Sequence, residues 1–257
     1  MTRRACGLVL ILAVTFAALF APMLTAFDPT QTGVFFLAPP DAAHWFGTDD
    51  LGRDVLSRVL HGGRASLVIG VGAAFVACVI GVPAGLLAGY CGGLVDLWAT
   101  QVMNLCIALP GLVLALLITA VTGPSVLNIV LILGFVSWPR VARLVRGQAF
   151  LIREALFVEA ARAAGADAVW IVPMHILPNV AGVIAAQFAL TVAYAIFTSS
   201  SLSFLGLGIP PPSPDWGGMV RTGLDYLSIN PAMGLAPSAA VGITVLGFYL
   251  LGSGTRG

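Results

Sequence analysis

Long apolar runs alternate with short polar breaks along this chain, and the runs are too long for strands. Five uncharged stretches reach the roughly 20 residues that a helix needs to cross a hydrocarbon core. They are 7–27, 67–90, 97–121, 180–207 and 230–251. A sixth, 126–138, is shorter and ends at Pro139-Arg140. It counts as a span because Arg140 can snorkel toward the interface. The pattern predicts an all-α, polytopic membrane protein with six transmembrane helices and both termini on one face. Residues 1–66 read as a first helix plus an outer segment rich in turn and charged residues. Residues 67–257 read as the main transmembrane domain. Pro83 and Pro110 fall inside the second and third runs and predict kinks. Gly81, Gly85 and Gly89 stand four apart in the second run, which predicts close helix packing.

Composition supports a membrane setting. The chain is 59% hydrophobic and 9% charged, whereas soluble domains carry about 25% charge. The net charge of +1 argues against nucleic acid. Every basic residue is an arginine. Arg3, Arg4, Arg140, Arg143, Arg146, Arg153 and Arg162 share one side in the six-span arrangement, which makes that side cytoplasmic. Arg53, Arg58 and Arg64 fall on the other side, against the rule. Met1–Ala21 also has the outline of a signal peptide, but the run continues uncharged to Phe27. Cys6, Cys78, Cys91 and Cys106 form no CxxC pair and read as small packing residues.

Between the fourth and fifth runs lies a charged, alanine-rich island, Glu159-Ala160-Ala161-Arg162-Ala163-Ala164-Gly165. Leu156 to Ala164 should be helical. Glu159 and Arg162 are three apart and share a face, and Gly165 suits a C-terminal cap. Pro173 and Pro178 should bar continuous helix before the fifth span. The expected object is a short helix across the inner face. On these grounds alone it is equally a headgroup-packing linker or a contact site for a soluble partner.

The island and the following His175-Ile176-Leu177-Pro178-Asn179 resemble the coupling loop of bacterial binding-protein-dependent ABC transporter permeases. His44-Trp45-Phe46-Gly47-Thr48-Asp49-Asp50-Leu51-Gly52-Arg53-Asp54 and Ser201-Leu202-Ser203-Phe204-Leu205-Gly206-Leu207-Gly208 resemble one branch. That branch is the second permease of dipeptide, oligopeptide and nickel importers. The resemblance implies a cytoplasmic coupling helix between helices four and five. Glu159, Ala160, Ala161, Arg162, Gly165, His175, Pro178 and Asn179 would there contact an ATPase. It implies four kinds of partner: a homologous second permease, two cytoplasmic ATP-binding subunits, an extracytoplasmic substrate-binding protein and the lipid bilayer. The location is the inner membrane of a bacterium. No cofactor is expected on this chain, ATP and magnesium belonging to the ATPases. The chain departs from the family at Pro173 and Met174, where an arginine usually precedes the histidine. It departs again at Gln101 and Asn104, where an arginine and an aspartate are usual. The C-terminal sequence from Tyr249 to Gly257 differs as well.

Other candidates are thinner. Asp49, Arg53 and Trp216 are candidates for docking the binding protein, although such a charged cluster more often pairs with itself. Trp216 also suits a membrane interface. Gln187, Thr191 and Tyr194 are candidates for lining the pathway, although hydrogen bonds between helices explain them as well. His44 and His61 lack a metal-ligand frame, so no metal site is expected. No nucleotide-binding GxxxxGK[ST] loop occurs, so the chain reads as a non-enzyme. Small peptides are the leading cargo, with nickel or a metal chelate as the alternative. A self-contained channel or ion-coupled carrier would need acidic residues inside the spans. All eleven acidic residues read as lying outside them. A membrane scaffold is a further alternative.

Overall fold

The computed structural model describes residues 2–254. Met1 and Thr255-Arg256-Gly257 lie outside them, including the end of the divergent C-terminal sequence. Among the described residues every regular element is a helix, apart from one isolated bridge between Thr48 and Asp54, and residues 25–54 are non-helical. In lipid a backbone must satisfy its own polar groups, and helices do so within one segment. The elements are α1 (Thr2–Leu19), α2 (Ala21–Leu24), α3 (Val55–Cys91), α4 (Gly93–Ala108), α5 (Gly111–Thr122) and α6 (Val126–Ile152). Then come α7 (Leu156–Ala163), α8 (Ala168–Ile171), a π turn (Val172–Ile176), α9 (Leu177–Phe204), α10 (Trp216–Asp225) and α11 (Ala232–Ser253).

Among the described residues, four helical stretches are long and apolar enough to cross a membrane: α3, α6, the run from α8 to α9, and α11. The pair α4–α5, bent by 78° at its break, makes a fifth if taken as one span. The six-span expectation is therefore met by four or five. The first predicted span is split. Pro22 has no N–H to give the Ala18 carbonyl, so the helix cannot continue through it. Arg64 takes up the free end instead, its Nε donating to Ala18 O at 2.7 Å and Nη2 to Leu19 O at 2.9 Å. Exposed apolar side chains such as Leu8, Phe75, Leu105, Leu117 and Leu131 cover the outside of the bundle.

Proline placement misleads in two more places. Pro139 does not end the fourth run; it lies inside α6, which continues to Ile152. Pro173 and Pro178 do not interrupt the helix before the fifth span. The chain is helical from Ala168 to Phe204, with Pro173 in the π turn and Pro178 in the first turn of α9 that follows it. The wider ring of the π turn is closed by the Leu177 N–H donating to Val172 O. That i→i+5 bond leaves room where an α-turn would meet the pyrrolidine ring. Pro110 breaks its run outright. Pro83 sits within an uninterrupted α3.

The bundle is held by α3 lying against α6 along its length. A Cβ on Gly81, Gly85 or Gly89 would stand 2.7, 2.5 or 2.6 Å from the carbonyl oxygens of Trp138, Ala142 and Arg146. The predicted glycine spacing is thus a contact line between two backbones. Ala77, Leu86, Val141, Val145, Ala149, Val158, Ile171, Ile176 and Val180 form the core at one end of it.

Candidate functional site

The charged island folds as α7, and its position follows from one residue. Val158 is fully buried among Val141, Val145 and Ala149 of α6 and Ile171, Ile176 and Val180. Glu159, Ala160 and Arg162 are thereby turned outward and exposed. The helix ends in a Schellman motif, with Gly165 N–H donating to Arg162 O at 2.9 Å and Ala166 N–H to Ala161 O at 3.0 Å. Gly165 has φ 91°, a left-handed conformation that glycine adopts without a Cβ penalty. Arg162 lies over the Tyr90 ring, 5.3 Å from its centroid, and forms no ion pair with Glu159. Arg153 reaches the same end of α3, its Nη1 3.4 Å from Gly89 O and Tyr90 O.

His175 stands inside the π turn. Its ring meets Trp170 edge-on at 4.8 Å and Phe157 at 6.0 Å, and its buried Nε2 has no hydrogen-bond partner. Asn179 Nδ2 donates to His175 O at 2.6 Å. Pro178 is exposed in the first turn of α9. Two contacts tie the α7 part of this region to the π-turn part, Phe157 against His175 and Val158 against Ile176. Sequence reasoning missed its apolar part: Leu156, Phe157, Val169, Trp170 and Met174 are all exposed here. Only the unusual Met174 signalled it.

On α9, Gln187, Thr191 and Tyr194 recur at four and three residues and share a face. Thr191 is buried, donating to Gln187 O at 2.8 Å, while Gln187 and Tyr194 are partly exposed. Of three arginines spaced three apart on α6, the first meets this face. Arg146 forms a two-bond pair with Asp96, in the first turn of α4, its Nη2 donating to Oδ2 at 2.6 Å. Arg143 Nη2 donates to Asn104 Oδ1 at 2.6 Å. Arg140 lies over Tyr194, 4.3 Å from the ring centroid.

The outer segment pairs with itself. Asp49 receives Arg53 Nε at 2.7 Å and lies 3.5 Å from Arg58 Nε. Arg58 Nη1 also donates to Pro29 O at 2.7 Å. Asp54 caps α3 through Ser57 N–H and holds His44 Nδ1 at 2.9 Å. Arg53, Arg58 and Arg64 therefore serve internal bonds, which explains how they stand against the arginine rule. Trp216 is only 2% exposed, so it is not an interface residue. Its ring fills a notch at Gly62 and Gly63, and its Nε1 donates to Val59 O at 2.8 Å. Asp49, Arg53 and Trp216 are thus held by bonds within the fold and are buried. Beside them lies a cavity of about 470 Å³, bordered by Asp50, Arg58, Asp215 and Arg221.

Asp215 caps α10 by accepting from Gly218 N at 2.9 Å. Burial pushes its carboxyl above the usual range, against the pull of hydrogen bonds from Gly218 and Ser203. The folded state therefore holds this proton more tightly than the unfolded state. Its contribution to stability is present at low pH and is lost as pH rises from the ordinary carboxylate value through the raised one. Asp215→Asn keeps the cap and removes the ionisable group. Thermal melts in detergent should show a less negative slope of stability with pH above about pH 4. An unchanged slope would contradict this account.

Residues 81–255 match the family described as binding-protein-dependent transport system inner membrane component. The glutathione transport system permease protein of Pectobacterium atrosepticum is 41% identical over 84% of this chain and 72% of its own length. The dipeptide transport system permease protein of Alkalihalophilus pseudofirmus is 38% identical over 97% of this chain and 83% of its own. The oligopeptide transport system permease protein of Bacillus subtilis is 37% identical over 97% and 82%. Among solved structures, the MetNI methionine ABC transporter in an inward-facing conformation shares the fold. Its TM-score is 0.64 at 20% identity, covering 76% of this chain and 93% of that one.

Proposed function

This chain belongs to the binding-protein-dependent transport system inner membrane component family, and from that premise we propose that it is one permease half of an ABC importer for small peptides. The cargo class rests on relatives whose names specify dipeptides, oligopeptides and glutathione. The chain supplies a path and no catalysis. Hydrolysis of ATP, with its magnesium, belongs to two cytoplasmic partner subunits, and a second permease completes the pathway. An extracytoplasmic binding protein delivers the peptide to the outer loop. The setting is the inner membrane of a bacterium. Six spans follow if α1, with Leu8, Val9, Leu12 and Phe16 exposed, crosses first and the bent α4–α5 pair crosses third.

The observation that carries the reading is the seating of α7. A helix pinned by Val158 and bounded by a Schellman turn moves with α6 and the π turn, not independently. Closure of the ATPase pair would draw two such helices together and tilt the spans. Coupling of this kind needs contacts that differ between the two states. Exposed Glu159 is the charge best placed to make them.

Glu159→Lys should leave insertion and complex assembly intact and lower peptide uptake in proteoliposomes about tenfold. Charge reversal at such a contact removes one interaction and adds a repulsion. Normal uptake would remove α7 as the coupling element. In the unaltered complex, a panel of dipeptides, longer peptides and nickel chelates should stimulate ATP hydrolysis with peptides only. Stimulation by the chelates alone would reassign the cargo.

A further inference from the structure

The three arginines of α6 meet counter-charges that weaken step by step. Arg146 has a carboxylate, Arg143 an amide oxygen, and Arg140 only an aromatic ring. Each step of three residues moves about 4.5 Å along the helix. Arg140 lies about 21 Å from the start of α6 and about 9 Å deeper than the Arg146–Asp96 pair. If α6 enters a hydrocarbon core of about 30 Å at its first residue, Arg140 falls within that core. Among the described residues no carboxylate lies within ion-pair distance of it. Yet its side chain is exposed rather than buried. A guanidinium at such depth faces water or an anion, because lipid tails solvate neither its charge nor its donors.

We propose that Arg140 is a cargo-binding residue of the pathway, and that its guanidinium receives the free C-terminal carboxylate of the peptide as it crosses. Stacking on Tyr194 occupies the flat face of the guanidinium and leaves its edge donors free. Those donors form a fork that matches a carboxylate. Room for the pair comes from the break between α4 and α5. A Cβ on Gly111 would stand 2.8 Å from Tyr194 Oη and 3.8 Å from Arg140 Nη2. Tyr194 also shares a face of α9 with partly exposed Gln187, so a second polar side chain lies along the same helix. A C-terminal carboxylate is common to linear peptides of every sequence. A single cation that reads it would accept many cargoes. Arg143, the next arginine along α6, is engaged by Asn104 Oδ1, so a single guanidinium fork receives the carboxylate. The proposal rests on the peptide reading of the cargo.

The test uses the complete complex in proteoliposomes, with binding protein saturated by a radiolabelled dipeptide or by its C-terminal amide. The unaltered complex should import the free acid faster than the amide. Arg140→Gln should lower uptake of the acid about tenfold and leave the amide unchanged. Arg140→Lys should restore part of the preference. Equal import of the acid by Arg140→Gln and the unaltered complex would overturn the proposal. So would an equal loss of acid and amide, which marks a structural role. Failure of the second permease to co-purify with Arg140→Gln would also overturn it, assigning the cation to an acid of that partner. Import of neither peptide by the unaltered complex would instead remove the peptide reading itself.

Discussion

Val158→Asp is expected to leave the membrane helices in place and to reduce ATP-driven uptake to less than about one-hundredth, because a carboxylate without a partner costs several kcal/mol to bury. Val158 is the only fully buried side chain of α7, and its neighbours Val141, Val145, Ile171, Ile176 and Val180 offer no donor. Relief comes from swinging α7 out of its seat. The Schellman turn and the helix itself can survive that movement, since their hydrogen bonds are local. Limited proteolysis should then cut between Arg153 and Ala155, while α3, α6, α9 and α11 stay protected. Val158→Ile, which keeps an apolar seat, should retain most uptake. Full transport by Val158→Asp would show that α7 need not be seated to work.

Gly85→Leu is expected to prevent α3 and α6 from packing at all. A Cβ there would lie 2.5 Å from Ala142 O, 2.8 Å from Val145 Cβ and 3.0 Å from Arg146 N. Two of these atoms are backbone, so no rotamer change relieves the clash. Overpacking of a core typically costs about 1–3 kcal/mol, and displacing a whole helix should exceed that range. Loss of the folded species in detergent chromatography, with aggregated or degraded chain in its place, is the expected readout. Gly147→Ala is the matched control. It lies on α6 with open space around it, and alanine favours a helix over glycine by about 1 kcal/mol. Its melting temperature should hold or rise. If Gly85→Leu folded as stably as the control, the backbone contact line would be wrong.

Much of this architecture was legible in hydrophobic runs, because lipid demands long apolar helices wherever the chain crosses. The island was legible for a different reason. Alanine-rich helix, a glycine stop and charges at helical spacing agree with one another, and α7 with Gly165 follows directly. Proline was the poor guide. At Pro22 and Pro110 it broke helices, while at Pro139, Pro173 and Pro178 helices continued through it. The difference lies in what satisfies the freed carbonyl or relieves the ring, such as the π turn, and tertiary structure settles that. The arginines of the outer segment misled similarly. A sequence shows Arg53, Arg58 and Arg64 as loop charges, but their internal acceptors are visible only once the chain is folded. Trp216 looked like an interface residue for the same reason, whereas the self-pairing of Asp49 with Arg53 was the favoured reading of that cluster. Arg140 was legible only as a snorkelling end, because Pro139 seemed to finish the helix just before it.

The glycine line between α3 and α6 also has a mechanical meaning. Helices separated by bulky side chains can slide and rotate a little as those side chains change rotamer. Helices whose backbones touch at three successive turns have no such compliant layer. They tilt as one beam. Arg153 and Arg162 fasten the turn after α6 and α7 to one end of that beam, at Gly89 and Tyr90. A displacement of about an ångström at α7 would therefore reach the far end of α3 as rotation of a stiff rod, with little lost to bending on the way.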